Sequence, residues 1–195
     1  MFPDPGEATM TGTAPRLETE RLVLRPPALE DFDRWAEMME DPDAARYIGG
    51  VAPRPATWRA MMLMAGAWSL TGVSMFSVIE KSSGLWIGRI GPWRPHGWPG
   101  PEIGYGLHPA AWGKGYAVEG AAAAMDYAFD VLGWPEAIHC INPQNTASKR
   151  VAERLGSTFR GLSRMPAPFE DDEVEIWGQT REAWRLRKRG APEQP

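Results

Sequence analysis

The stretch spanning residues 107–120 constrains the fold more than any other part of the chain, because it joins a short apolar run to a long alanine-rich segment through two glycines. Beyond Gly115, small or apolar residues recur at intervals of three and four as far as Leu132, which is the spacing of a helix with one buried face. Gly133 then supplies a helix stop. Upstream, residues 101–107 are partly apolar and bounded by Pro and Gly, which is typical of a strand. The stretch therefore predicts a strand, a glycine loop and a helix in succession.

The glycines of this loop predict an anion site. Gly113 and Gly115 have no side chain to block a ligand, so the backbone N–H groups of the loop and of the first helical turn can point at a phosphate. The Walker A pattern fails, because Gly115 follows Lys114 where a Ser or Thr would hold magnesium. The dinucleotide pattern Gly-x-Gly-x-x-Gly fails at Val118. The loop thus indicates neither a nucleoside triphosphatase nor a Rossmann dinucleotide site.

The same loop resembles the acyl-CoA pyrophosphate loop of the GCN5-related N-acetyltransferases (GNAT), whose pattern is Arg/Gln-x-x-Gly-x-Gly/Ala. The matching residues are Trp112, Gly113, Lys114, Gly115, Tyr116 and Ala117. The departure is Trp112, which stands in the Arg/Gln place, so pyrophosphate binding would rest more on backbone N–H groups and on Lys114. With Glu119 shortly after it, the run is most similar to the branch that acetylates ribosomal-protein N-termini, the ribosomal-protein-alanine acetyltransferases.

A second segment carries the same resemblance. In the family, Asn-x-x-Ala/Ser is followed by a helix that ends in Leu-Gly-Phe. The residues in register with that pattern are Asn145, Ser148, Leu155 and Gly156. Ser157 stands where the Phe usually follows. Two separate motifs in the right order and spacing support the assignment, and the resemblance covers residues 17–184.

The resemblance implies the GNAT fold, an α+β sandwich with a mixed, mostly antiparallel central sheet of about six to seven strands and helices on both faces. One parallel strand pair is expected to splay around acyl-CoA. The residues themselves predict that pair, because a strand, helix and strand connection returns in the same direction. The hydrophobic patterning predicts strands at Arg21–Arg25, Val73–Lys81, Leu85–Trp93, Pro101–Leu107, Glu136–Ile141, Ser157–Met165 and Val174–Thr180, and further helices at Ala28–Glu40, Thr57–Leu70, Asn145–Leu155 and Glu182–Arg189.

Composition bounds the remaining possibilities. We expect residues 1–15 to be a flexible tail, residues 16–189 a single N-acetyltransferase domain and residues 190–195 a second tail. A net charge of -4 argues against nucleic acid as a partner. The only cysteine, Cys140, excludes an internal disulfide and is expected to be a small buried residue in a strand. No signal peptide, membrane span or metal-ligand spacing is evident, so we expect a cytoplasmic protein without a metal.

The resemblance also implies the chemistry, which is transfer of an acetyl group from acetyl-CoA to a primary amine by direct attack in a ternary complex. Glu102 begins the strand that runs into the loop and is the candidate base, with a solvent-facing carboxylate as the alternative. Glu119 ranks second, since it could merely complement the helix dipole. Ser148 is the candidate acid, because Ala152 stands where many relatives have a Tyr, but Ser148 could equally only satisfy a helix-start N–H.

The remaining candidate residues are cofactor contacts. Backbone N–H groups near Leu107 and His108 would hold the oxyanion, although the His108 ring could simply end the strand. Asn145 is an N-cap by position and a cofactor contact by resemblance. The full set predicted to contact acetyl-CoA is Leu107, His108, Trp112, Gly113, Lys114, Gly115, Tyr116, Ala117, Asn145 and Ser148.

The acceptor amine is the least constrained part. The Met- and Trp-rich face of the helix predicted at Thr57–Leu70 is expected to be core, or to border the acceptor groove. An acidic run at residues 170–175 either forms a solvated turn or faces the groove and attracts a cationic acceptor. The acceptor could be a protein N-terminus, a small amine, an antibiotic or an amino acid, and a non-catalytic acyl-CoA-binding protein is a further alternative. A monomer and a homodimer are both compatible with the sequence.

Overall fold

The computed structural model of the chain describes residues 15–171 and 173–190. The predicted terminal tails fall almost entirely outside these ranges, as does Asp172 of the acidic run. The described residues form one eight-stranded sheet in the order β1-β2-β3-β4-β5-β6-β8-β7. The strands are β1 (Leu17–Glu18), β2 (Leu22–Arg25), β3 (Phe76–Glu80), β4 (Trp86–Trp93), β5 (Glu102–Leu107), β6 (Glu136–Ile141), β7 (Thr158–Arg164) and β8 (Glu173–Thr180).

Neighbouring strands are antiparallel except for β5 and β6, so the predicted mixed sheet with one parallel pair is confirmed. The eighth strand is the two-residue β1, which is too short to give a periodic signal. The helices are α1 (Phe32–Glu40), α2 (Pro42–Ala45), α3 (Arg54–Thr71), α4 (Tyr116–Asp130), α5 (Thr146–Leu155) and α6 (Arg181–Gly190). Among the described residues, no helix is both long and apolar enough to cross a membrane.

The first helices differ from the prediction at their ends. Residues 28–40 form a 3₁₀ turn before α1 rather than one continuous helix. Pro42 does not close the segment but opens α2, because the Asp41 side chain accepts from the N–H groups of the first turn. Helix α3 begins at Arg54, three residues earlier than predicted, because Pro55 falls in the first turn, where its missing N–H costs nothing.

Helices cover both faces of the sheet. Along β3, Phe76 and Val78 pack in a core cluster with α4, whereas Ile79 packs in a second cluster with α1 and α3. Successive strand residues point to opposite faces, so the two clusters lie on opposite sides. The second cluster takes Met61 and Met64 from the Met-rich face of α3, which confirms that this face is largely core.

Helix α4 packs against the sheet through small residues. Ala121, Ala124 and Ala128 are fully buried along its inner face. A Cβ built at Gly120 would lie only 2.7 Å from Cδ1 of Ile90 on β4. Small side chains therefore set the distance between the start of α4 and the sheet.

The parallel strands β5 and β6 separate almost at once. Among the described residues they pair in register only at Glu102 with Ile138. One residue further on, the ring of His139 lies 2.8 Å (Nδ1 to O) from the carbonyl of Ile103 and takes the place of a backbone partner. The gap opens from this point toward Leu107 and the glycine loop.

Candidate active site

A cleft of about 1200 Å³ lies where β5 and β6 separate. Its walls include most of the predicted site residues, namely Glu102, Leu107, Trp112, Gly113, Gly115, Tyr116, Ala117, Asn145 and Ser148. His108 and Lys114 are not among the residues that line it. The fold thus brings together two motifs that lie about 30 residues apart in the chain.

The glycine loop has a backbone that only glycine adopts without strain. Gly113 has φ +74° and Gly115 has φ +81°, so both lie in the left-handed region. Helix α4 begins directly after Gly115, and its first N–H groups lack helical partners. A loop and helix N-terminus of this kind fit a pyrophosphate group.

Trp112 ties this loop to the end of β5. Its indole Nε1–H donates to the carbonyl of Leu107 at 2.8 Å, and 48% of the residue is exposed at the mouth of the cleft. The indole supplies no charge for a phosphate. The family pattern has Arg or Gln here, whereas Trp112 instead makes a hydrogen bond within the loop.

Glu119 is fully engaged in holding the loop, which argues against its role as the base. Its carboxylate accepts from Thr19 Oγ1 at 2.6 Å, from the N–H of Arg21 at 2.9 Å and from Arg21 Nε at 2.7 Å. Burial alone would raise the pKa of Glu119, but these hydrogen bonds hold it below its usual value. Arg21 also donates to the carbonyl of Lys114 at 3.0 Å. The Arg21 and Glu119 pair therefore clamps the loop to β2.

The side chains of Lys114 and Tyr116 are directed at β3. The Tyr116 hydroxyl donates to Glu80 Oε1 at 2.6 Å, and Lys114 Nζ lies 3.9 Å from the same oxygen. The Tyr116 ring is buried beneath the loop. Any contact of Tyr116 with a phosphate would therefore come from its backbone.

The structure separates the roles proposed for Leu107 and His108. The His108 N–H donates to the carbonyl of Ile87 at 2.9 Å, and its ring Nδ1 accepts from the N–H of Ala110 at 3.2 Å. His108 is therefore occupied within the fold and cannot offer its N–H to an oxyanion. Because N–H directions alternate along a strand, the Leu107 N–H points the other way, toward the gap.

Glu102 is buried at the inner end of the gap. Its Oε2 accepts from Trp98 Nε1 at 2.6 Å and its Oε1 from the N–H of Cys140 at 3.1 Å. Burial raises the pKa of Glu102 to about 7, although these two hydrogen bonds and the charge of Arg89 oppose the shift. The alternative of a solvent-facing carboxylate is wrong, since Glu102 is 7% exposed.

The second motif forms the opposite wall. The Asn145 side chain accepts from the N–H of Ser148 at 3.1 Å, so the predicted N-cap is present. The carbonyl of Ser148 accepts from the hydroxyl of Tyr105 at 3.0 Å, which links β5 to α5 across the cleft. Tyr105 is not among the residues predicted from the sequence, where its only signal is an aromatic residue between Gly104 and Gly106.

The wall of the cleft formed by α3 and the last hairpin is mostly apolar. Its lining includes Ala60, Leu63 and Met64 from α3, and Met165, Phe169 and Val174 from the last hairpin. The described acidic residues of that hairpin do not line the cleft, and Glu175 is paired with Lys149 at 2.7 Å. For these residues the solvated turn is the better reading; Asp172 lies outside the described residues.

Similarity to known proteins agrees with this geometry. The family model of the acetyltransferase (GNAT) domain matches residues 21–158. A Bacillus licheniformis protein, the uncharacterized N-acetyltransferase p20, is 34% identical over 76% of this chain and 85% of its own length. The FsC-acetyl coenzyme A-N(2)-transacetylase of Aspergillus fumigatus is 30% identical over 89% of this chain and 80% of its own.

A solved structure extends the match to three dimensions. The acetyltransferase of Agrobacterium tumefaciens superposes with a TM-score of 0.77 and is 31% identical in sequence. The superposition covers 90% of this chain and 100% of that chain. The chain belongs to the GNAT acetyltransferase family. The predicted fold and the predicted N-acetyltransferase class are thereby confirmed. This family typically uses acetyl-CoA as the acetyl donor.

The finer branch is not shown by these comparisons. A ribosomal-protein alanine acetyltransferase of Vibrio fischeri has a TM-score of 0.68 with 15% identity, over 87% of this chain and 98% of that chain. Similarity at that identity shows the fold alone. Among the described residues, no group of three or more His, Cys, Asp or Glu side chains is placed to hold a metal ion.

Proposed function

We propose that this protein transfers the acetyl group of acetyl-CoA to a primary amine by direct attack in a ternary complex. The observation that carries the proposal is Glu102, a buried carboxylate at the inner end of a cleft whose outer end is a glycine loop. The cleft therefore has an anion-binding end and a proton-accepting end.

The loop end suits the donor. The N–H groups after Gly113 and Gly115 would hold the pyrophosphate, and Asn145 and Ala117 would contact the rest of the cofactor. When bound, acetyl-CoA supplies the acetyl group as a thioester. The Leu107 N–H points into the gap and is the candidate donor for negative charge that develops on the carbonyl oxygen.

The inner end suits the proton transfers. An amine attacks only in its neutral form, so a base must hold its proton. Because burial raises the pKa of Glu102 to about 7, Glu102 can accept and release a proton near neutral pH. Ser148 lies on the facing wall and is the candidate proton donor, with Tyr105 anchoring the carbonyl of the same residue.

The test is an acceptor panel with purified protein and acetyl-CoA, with release of the CoA thiol as the rate and mass spectrometry of the acetylated amine as the product. The panel contains a ribosomal-protein N-terminal peptide, polyamines, aminoglycosides and amino acids. The similarity of the Trp-Gly-Lys-Gly-Tyr-Ala run supports inclusion of the peptide. Transfer to at least one amine is expected, and release of CoA without any acetylated amine would contradict the proposal.

A further inference from the structure

Arg89 on β4 brings a positive charge into the cleft, and no oxygen atom of residues 15–171 and 173–190 accepts a hydrogen bond from it. Its Nε is buried and has no hydrogen-bond acceptor. Its Nη1 lies 3.5 Å from the sulfur of Met64 and 3.7 Å from the sulfur of Met75, and its Cζ lies 5.7 Å from the ring centre of Trp35. Sulfur atoms and an aromatic face are weak substitutes for the carboxylate that a guanidinium fork prefers.

Within the described residues, no carboxylate lies within 4.0 Å of the Arg89 guanidinium. The two oxygens of Glu102 accept from Trp98 and Cys140. Burial lowers the pKa of Arg89 to about 10, while the charge of Glu102 opposes the shift. Arg89 therefore remains charged at neutral pH.

The neighbouring strand leaves room beside the guanidinium. Arg89 is paired across the sheet with Gly106, and a Cβ built at Gly106 would lie 3.9 Å from Arg89 Nε and 3.3 Å from Cδ1 of Ile48. Any larger residue there would narrow the space between the sheet and the loop that carries Ile48. Arg89, Gly106 and Ile48 all line the cleft.

Arg89 and Glu102 project from the same face of the sheet. Residues 102 and 106 of β5 share one face, since strand residues alternate, and Arg89 is the cross-strand partner of Gly106. Four residues along a strand span roughly 13 Å between Cα atoms, and both side chains are long enough to reach into the intervening space. The cleft thus offers a proton acceptor and a fixed cation at two ends of one apolar chamber.

We propose that Arg89 binds a carboxylate of the acceptor, so that the substrate is a small amine that also bears a carboxylate. The amine lies toward Glu102 and the carboxylate accepts from the guanidinium Nε and Nη groups. This inference rests on the proposed function, because it assigns the acceptor of the same cleft. It favours an amino-acid-like acceptor over a polyamine, which has no group to meet Arg89.

We expect the site to discriminate strongly between amines that bear a carboxylate and amines that lack one. A carboxylate satisfies two donors of a buried guanidinium, whereas an amine without one leaves the cation buried and unpaired. Sites built to hydrogen-bond one polar group of a substrate reject analogues that lack it. We therefore expect a carboxylate-bearing amine to exceed its carboxamide by at least roughly tenfold in kcat/KM.

The experiment compares matched pairs. Amino acids with short and long spacers between amine and carboxylate are assayed against their carboxamides, in the wild type and in the Arg89→Met, Arg89→Lys and Arg59→Met variants. Met suits the surroundings of Arg89, which are two methionines and a tryptophan, so the fold should survive. Arg59 is an exposed arginine of α3 outside the cleft and serves as the charge control.

The proposal predicts that the wild type and Arg59→Met prefer the carboxylate member of at least one pair. Arg89→Met should lower kcat/KM for the carboxylate member more than for its carboxamide, so that the preference is lost, and Arg89→Lys should restore part of it. Equal use of both members, or equal loss of both in Arg89→Met, would overturn it. So would a panel in which only peptides or polyamines are acetylated.

A binding arm separates this inference from the proposed function. Protection against thermal unfolding by the same pairs is measured in the presence of CoA, which requires no turnover. Carboxylate-selective protection that Arg89→Met abolishes, without acetyl transfer, would sustain the role of Arg89 and refute the transferase proposal. Acetyl transfer with no carboxylate preference would do the reverse.

Discussion

Two buried titratable residues, Glu102 and His139, flank the point where β5 and β6 part. Glu102 is at the last register pair, and His139 is the next residue after its partner in β6. Burial raises the pKa of Glu102 to about 7 and lowers the pKa of His139 to about 4, so burial favours the neutral form of each. The two residues give separate predictions.

Substitution of Glu102 should remove the base. For Glu102→Gln we expect a fall in kcat of roughly 10²- to 10⁴-fold. In the wild type the rate should rise with pH to a plateau above about 7, because only the carboxylate form accepts a proton, and this rise should vanish in the variant. Initial rates between pH 5.5 and 9 check this, with the exposed Glu153→Gln on α5 as control. An unchanged pH profile in Glu102→Gln would exclude Glu102 as the base.

His139 should make folding stability depend on pH. Its ring is buried between the Ile103 carbonyl and Ser157 Oγ, so the folded state resists protonation until pH falls to about 4, whereas the unfolded chain binds the proton near 6.5. Its contribution is therefore lost as pH falls from 6.5 to 4, by about 3 kcal/mol at most. Glu102 acts in the opposite sense over much of this window, because its folded pKa is raised.

The comparison of His139→Gln with the wild type isolates the histidine. Urea unfolding at a series of pH values should show the difference in unfolding free energy between the two proteins changing between pH 6.5 and 4. A constant difference for His139→Gln would show that the ring is protonated in the folded state.

At the scale of elements, the glycine loop and the Arg21–Glu119 pair form the proposed donor site. The positive φ of Gly115 and the contacts of Arg21 with both Glu119 and the Lys114 carbonyl fix where the N–H groups of α4 point. The sequence predicted the loop and the helix, because glycine spacing and apolar periodicity are local. It could not predict the clamp, since Thr19 and Glu119 are 100 residues apart in the chain.

Replacement of Gly115 should abolish donor binding. At about 100 times its Kd, acetyl-CoA should stabilise the wild type by about 2.7 kcal/mol, which is roughly 5 to 10 °C in Tm for a chain of this size. Gly115→Val is expected to lose this shift, because a β-branched residue cannot adopt φ +81° without strain. Gly133→Ala, at another positive-φ position away from the cleft, should keep it. Retention of the full shift in Gly115→Val would place the donor elsewhere.

Loss of the clamp should cost stability. Glu119→Ala leaves the donors of Thr19 and Arg21 without their acceptor, and we expect a loss of about 1–3 kcal/mol in unfolding free energy. Glu18→Ala on neighbouring β1 removes an exposed carboxylate that pairs with Arg16 and Lys81, and it should change stability little. Chemical denaturation measures both. Equal losses of unfolding free energy in the two variants would mean that the Glu119 contacts stabilise the fold no more than an exposed ion pair does.

For the whole molecule, the sheet is nearly two sheets. Strands β1 to β5 and strands β6, β8 and β7 are joined by one register pair between Glu102 and Ile138 among the described residues. The sequence predicted the parallel pair β5 and β6 from the helical crossover, but it did not predict that β8 lies between β6 and β7. At the place where pairing stops, the His139 ring contacts the Ile103 carbonyl and Tyr105 contacts the Ser148 carbonyl, and these tertiary contacts have no local pattern in the sequence.

Donor binding should stiffen this junction. In hydrogen exchange, we expect acetyl-CoA to slow the amides of Tyr105 and Leu107, which point into the gap by the alternation of β5. Amides of β2 and β3, distant from the gap, should exchange as before. Uniform protection across the sheet would indicate global stabilisation rather than occupation of the gap.

The close packing of α4 on the sheet links the hydrophobic core to the proposed binding of acetyl-CoA. Gly120 leaves room for Cδ1 of Ile90, and the N-terminus of the helix, which is the proposed phosphate site, lies four residues earlier. A methyl group at position 120 would force the Ile90 side chain or the helix to shift. A substitution in the hydrophobic core is therefore expected to change the affinity for acetyl-CoA without contacting the cofactor.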